Sequence, residues 1–243
     1  MSPNRSLLVA VGLMAAGHFA SAAVLTLNPV TDGYIRSTGG SMSNTSMLVG
    51  KTATSNDYLN GLLAFDFSSL PEHAVIESIS LSVFSAAVDG SSVATTFSLY
   101  DSLRNFASNA TWSNYATGSS WATPGGTGAA DRGALVSSLV INPSTATRGA
   151  KFVFASSAAF VAAANAAYQN GEQFSLWLGT NPADVVGSSR HVLWLETAEG
   201  SQSIRPTLSI TYTVVPESSS LIIVAMGMGV LGFCHRRERV KIS

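Results

Sequence analysis

Three observations predict an all-β protein, an antiparallel β-sandwich or jelly roll with one short alanine-rich helix. Apolar and polar residues alternate over several segments, most clearly where Ile79, Leu81 and Val83 interleave with Ser78, Ser80 and Ser82. Period-two patterning marks a strand with one buried and one solvated side. These segments are short, closely spaced and divided by Gly, Asn, Asp and Pro turns. One stretch departs from the pattern: residues 157–169 are dominated by alanine, the best helix former, and stop at Asn170-Gly171. Many short strands with polar turns and a single helix suit two packed antiparallel layers.

Taken in order, residues 24–28 and 33–37 read as opening strands, broken at Pro29 and at Asp32-Gly33. Residues 38–60 are mostly Ser, Thr, Gly and Asn, with Met47-Leu48-Val49 as one embedded strand. In 62–67, Leu63, Phe65 and Phe67 point one way while Leu62, Ala64 and Asp66 point the other. The strand 77–84 follows, and 95–100 repeats its alternation with Phe97 and Leu99. Further strands are predicted at 134–141, 150–154, 174–178, 191–196 and 208–212, the last with Leu208, Ile210 and Tyr212 facing inward. Phe160, Ala164, Ala167 and Tyr168 share one side of the helix. No repeat of fixed period is present.

The two ends stand apart from this domain. Arg5, an apolar stretch over 7–19 and the small residues Ala20-Ser21-Ala22-Ala23 have the build of a secretory signal peptide, cleaved after Ala22 or Ala23. At the other end Pro216-Glu217 leads through serines into an uncharged run of 14 residues, 221–234. With the serines counted back to Ser218 the run reaches 17, the short end of the roughly 17–25 that cross a bilayer. Arg236, Arg237, Arg239 and Lys241 follow, so the basic end is expected on the cytoplasmic side and the domain across the membrane. The chain thus divides into a signal peptide (1–23), a β-sandwich domain (24–215) and a C-terminal tail (216–243) with its transmembrane helix at about 219–235.

The formal charge of −1 conceals a division: residues 24–215 hold eight Lys/Arg and twelve Asp/Glu, whereas the tail from Cys234 onward holds four bases and one acid. A net acidic, Lys-poor domain lacks the basic patches that nucleic acid requires. Cys234 is the only cysteine and lies in the tail. The domain is therefore held by its core, without a disulfide.

The tail's order of Pro-Glu signature, apolar run and basic cluster resembles the C-terminal sorting signal of the PEP-CTERM family. It departs from that family in having Ser218 where a second proline is usual. The resemblance implies export through the Sec translocon, an inner-membrane-anchored precursor held through 219–235, and cleavage by an exosortase-type processing enzyme. Its sorting residues would be Pro216, Glu217, Arg236 and Arg237. A plain membrane anchor is the alternative.

A second resemblance spans the domain. Asp32-Gly33-Tyr34-Ile35-Arg36, Leu62-Leu63-Ala64-Phe65-Asp66-Phe67-Ser68-Ser69-Leu70-Pro71, Val75-Ile76-Glu77-Ser78-Ile79-Ser80-Leu81, Ala110-Thr111-Trp112 and Arg205-Pro206-Thr207-Leu208-Ser209-Ile210-Thr211-Tyr212 together resemble the DNRLRE-type β-sandwich domain. Leu62 or Leu63 stands where the family often has arginine, and Glu72-His73-Ala74 replaces its Gly-Ala turn. Its relatives include carbohydrate-binding modules and surface domains of unknown ligand.

Candidate chemistry is sparse. Trp112, Tyr115 and Trp121 sit in a polar loop over 105–132. Aromatic rings in such a loop can stack on pyranose faces, or fold back and plug the sandwich. The family match favours a structural Trp112 and leaves Trp121 and Tyr115 as the better glycan contacts. Trp177 and Trp194 lie out of phase with Leu176, Leu178, Leu193 and Leu195, which requires either two buried faces or a ligand-facing sheet. Asp32, Asp66, Asp101, Asp131 and Glu196 are donors of the kind Ca²⁺ takes, but no Asp-x-Asp-x-Asp spacing supports a site, and no cofactor or metal is expected. His73 and His191 build neither a zinc site nor a triad, and no Gly-x-Ser-x-Gly is present. The reading is a non-enzymatic, exported cell-surface or extracellular-matrix protein with a structural or adhesive role. The alternatives are a carbohydrate-binding module for an exopolysaccharide and, behind it, a polysaccharide-active enzyme.

Overall fold

The computed structural model describes residues 21–53, 57–90, 92–180, 185 and 189–215. The predicted sorting residues Pro216, Glu217, Arg236 and Arg237, the predicted transmembrane helix and most of the predicted signal peptide lie outside them. Among the described residues no helix is long and apolar enough to cross a membrane.

The domain is a curled, sandwich-like sheet of antiparallel strands with one α-helix. Its strands are β1 (Ala23–Leu27), β2 (Thr31–Arg36), β3 (Met47–Lys51), β4 (Tyr58–Phe65), β5 (Ala74–Ala87) and β6 (Thr95–Ser102). A two-stranded hairpin follows, β7 (Asn114–Ala116) and β8 (Ser119–Ser120), then β9 (Arg132–Ile141) and β10 (Lys151–Phe154). The helix α1 (Ala158–Asn170) precedes β11 (Phe174–Thr180), β12 (His191–Leu195) and β13 (Thr207–Val214). The main sheet runs β1-β13-β5-β12-β3-β4-β11-β6-β9, with β10 added to β5 and β2 to β4.

The curl depends on β5. Its 14 residues pair first with β13, then with β10, and finally with β12 through Ser85 and Ala87, so one strand joins both halves of the sheet. A bulge where β5 meets Thr211 and Tyr212 places both Ile76 and Ile79 in the core although they are three residues apart. Bulges bend and twist a strand in this way. Ile79, Leu81, Val83, Leu208 and Ile210 from one half pack against Leu63, Phe65, Phe97, Leu99, Leu176 and Leu178 from the other. Each apolar side chain removed from water there contributes about 1.5–3 kcal/mol.

The helix closes one side of that core with Phe160 and Ala164. The Ser157 hydroxyl caps it by accepting the Phe160 N–H at 3.0 Å, and Gly171 ends it at φ 65. Asn165 accepts the Ile76 N–H at 3.0 Å and donates to the Ile76 carbonyl at 2.9 Å, pairing with the strand as a neighbouring strand would. The predicted helix is thus displaced by one residue, and the predicted strands are all present, several longer than their alternation implied. At the turn before β5, where the resembled family has a glycine, His73 adopts φ 61.

Candidate functional site

A sheet strand exposes alternate side chains to opposite faces, and here both faces of the β4–β11–β6 region are apolar. While Leu63, Phe65, Leu176, Leu178 and Leu99 enter the main core, Leu62, Ala64 and Trp177 turn the other way. They meet Ile35, Phe106, Ala110 and Trp121 in a second cluster, flanked by Met42, Tyr100, Trp112 and Tyr115. The cover for this second face is the polar loop between β6 and β9. It leaves uncovered a groove of about 390 Å³ lined by Tyr58, Asn60, Trp112, Thr127, Arg132, Trp177, Thr180 and Val185.

The groove is organised around the carbonyl of Gly125. That oxygen accepts the Trp177 indole N–H at 2.9 Å and the Asn60 side-chain amide at 3.0 Å, and both bonds are buried. The Gly125 N–H in turn donates to the Trp112 carbonyl at 2.6 Å. Gly125 sits at φ 81, and a Cβ there would stand 2.6 Å from Cη2 of Trp112, so the ring lies directly against its backbone. Gly126, at φ 68, backs Trp121 in the same manner, with a Cβ site 3.1 Å from the indole. Two adjacent glycines therefore seat two tryptophans. Gly179 does the same for Trp177, whose ring would meet a Cβ at 2.1 Å.

At the groove floor, Tyr100 meets Trp177 edge-on with centroids 5.7 Å apart. The guanidinium of Arg132 lies 4.0 Å above Tyr100 and 4.7 Å above Trp177, well within cation–π range. Burial pushes the Arg132 guanidinium below its ordinary pKa, with Tyr100 acting in the opposite sense.

The loop is fixed in place by Asp131. This buried carboxylate accepts the N–H groups of Ala122 at 2.9 Å and Thr123 at 2.8 Å, and pairs with Arg104 at 3.2 Å. Burial alone would raise its pKa, but those three donors outweigh it and hold the carboxyl below the usual range. Arg104 also lies 5.5 Å over Tyr115.

The three predicted glycan contacts are sorted by this geometry. Trp121 is 5% exposed, bonds the Thr111 carbonyl through its indole N–H at 2.9 Å and packs edge-on to Tyr115 at 5.5 Å. A ring so enclosed offers no face for stacking. Tyr115 is half-buried beside it and does not line the groove. Trp112 does, together with Trp177 and Tyr58. Trp194 stands elsewhere, on β12, with its indole N–H 3.2 Å from Asp89. Sequence reasoning missed Tyr58, Asn60 and Arg132. Trp-x-Gly at 177–179 and the Gly125-Gly126 pair were the available signals for close ring–backbone approach.

The five carboxylates weighed as Ca²⁺ donors do not converge. Asp66 caps Ser68, Glu196 pairs with Arg148 at 3.2 Å, and Asp131 is engaged as described. Asp32 is 3% exposed and accepts only the Ala198 N–H, at 2.9 Å, leaving Oδ1 without a partner. Burial raises its pKa to about 7, the Ala198 bond opposing and Glu199 adding to the rise. Burial likewise raises Asp101 to about 6. Among the described residues no three His, Cys, Asp or Glu side chains come together. At the predicted signal cleavage site, Ala22 is exposed and Ala23 opens β1 opposite Tyr212.

No family model and no curated protein matches the chain.

Proposed function

We propose that this chain is an exported cell-surface or extracellular-matrix protein whose β-sandwich or jelly-roll domain adheres to polysaccharide. The observation that carries the reading is the groove in which the rings of Trp112 and Tyr58 stand with Asn60, Thr127 and Thr180, above the buried Trp177. Sugar-binding sites combine flat rings for the apolar pyranose faces with a few fixed polar groups for the hydroxyls. The sequence of the two ends supports delivery: a signal peptide cleaved near Ala22 or Ala23, and a sorting tail using Pro216, Glu217, Arg236 and Arg237. Its processing partner would be an exosortase-type enzyme. The role is binding and adhesion, without catalysis.

Two experiments test the reading. A glycan array with the full-length chain in mild detergent should give signals that Trp112→Ala abolishes and Leu135→Ser, on the exposed side of β9, leaves intact. An array without signal removes the glycan-binding role. Mass spectrometry of the protein recovered from its host should find Arg236 and Arg237 missing. Their retention would reduce the tail to a membrane anchor.

A further inference from the structure

Six arginines fall within the described residues, and five have a protein oxygen as partner. Arg36 pairs with Asp57, Arg104 with Asp131, Arg148 with Glu196 and Arg190 with Asp89, while Arg205 donates to the Gly200 carbonyl. Arg132 differs. Among the described residues its guanidinium makes no ion pair and no hydrogen bond, and it rests on the rings of Tyr100 and Trp177. Ring stacking fixes the plane of a guanidinium without using its N–H donors, so all five remain available in the groove that Arg132 lines. Among the described residues those donors face no protein acceptor, so water satisfies them in the free protein and a ligand acceptor can replace it without breaking a protein contact. The planar N–H fork matches a carboxylate in two parallel bonds.

We propose that the groove selects an acidic polysaccharide, with Arg132 taking the carboxylate of a hexuronic acid residue while Trp112 and Tyr58 take its pyranose face. This rests on the glycan-binding reading above and adds the class of sugar. The rest of the domain argues that the selection is local. With twelve acids against eight bases over residues 24–215, its overall field repels a polyanion, so affinity for one must come from a contact such as Arg132.

The test is titration calorimetry of the full-length chain in mild detergent with hexuronate oligosaccharides, the same oligosaccharides as methyl esters, and sulfated neutral oligosaccharides of equal length. The acid forms should bind at least tenfold more tightly than the esters, which keep the ring and lose the charge. Arg132→Gln should bring the acids down to the esters' affinity. Arg132→Lys, which keeps the charge over the rings but not the fork, should keep the melting temperature and lose most of the preference. Equal binding of acids and esters, or an acid preference that survives in both variants, overturns the proposal and leaves the glycan reading standing. Preference for the sulfated series overturns the carboxylate assignment. Absence of binding to every member, with Trp112→Ala making no difference, overturns both.

Discussion

Replacing Asp32 by asparagine should stabilise the protein above pH 7 and leave it nearly unchanged near pH 4. The native carboxyl holds its proton up to a pKa of about 7, against an ordinary value of 3.8, because burial disfavours the charge and Glu199 adds to that effect. Below pH 4 both the folded and the unfolded chain carry the proton, and Asp32 has no influence on stability. Between these values the unfolded chain releases the proton and the native state keeps it, so stability falls as pH rises. Each pH unit between the two values is worth about 1.4 kcal/mol, so above pH 8 the ionised Asp32 costs the fold on the order of 4 kcal/mol. Asparagine can accept the Ala198 N–H through its own oxygen and introduces no charge. Urea midpoints of the parent and Asp32→Asn at pH 4.5 and pH 8 measure the effect. Comparing the two proteins is necessary because Asp57 and Asp131, held below the usual range, act in the opposite direction and lose their contribution as pH falls. If both proteins change in parallel between the two pH values, Asp32 does not carry the proton assigned to it.

Three further outcomes follow from the second face of the sheet and a fourth from the helix. Gly125→Ala should destabilise by about 1–2 kcal/mol from the left-handed backbone alone, and more because its Cβ would press on Trp112; near-UV circular dichroism should report the displaced indole. Trp121→Ala, at a buried position, should cost about 3–5 kcal/mol in denaturant unfolding. Trp112→Ala should cost less in the same assay and lose glycan binding instead. Ser157→Ala, which removes the cap on α1, should cost about 1 kcal/mol, read as a lower melting temperature with unchanged ligand affinity.

Where a residue's environment is set by its own strand or helix, the sequence was enough to place it. Ile79, Leu81 and Val83 alternate with serines and enter the core, and Ser157 and Gly171 bracket the helix as their chemistry requires. Ile76 escaped the alternation because a bulge resets the period between it and Ile79, and bulges depend on the partner strand. The groove was less legible. Trp112 and Trp121 sit in the same polar loop, and only the glycine behind each ring and the fold of the backbone decide which is enclosed. That fold rests on contacts of long sequence separation, such as Asn60 and Trp177 on the Gly125 carbonyl. Arg132 gave no signal at all, since whether a charge finds a partner depends on where the fold places the other charged groups.

The two faces of the β4–β11–β6 region also explain how an irregular loop can hold a site without a disulfide. Loops on a surface are ordinarily mobile, because few buried contacts oppose their conformational entropy. Here the cover over the second face is bound at three kinds of point. Phe106, Ala110 and Trp121 bury apolar surface, Asp131 gathers two backbone N–H groups and Arg104, and Gly125 joins the loop to β4 and β11. A buried ion pair of this sort adds little net stability but is costly to break, since the surviving charge is left unpaired. Asp131 therefore acts less as a source of stability than as a constraint on where the loop can lie. The same constraint fixes Trp112 against Gly125 on the groove wall, so that a rigid ring surface exists before any ligand arrives and less ordering entropy opposes binding.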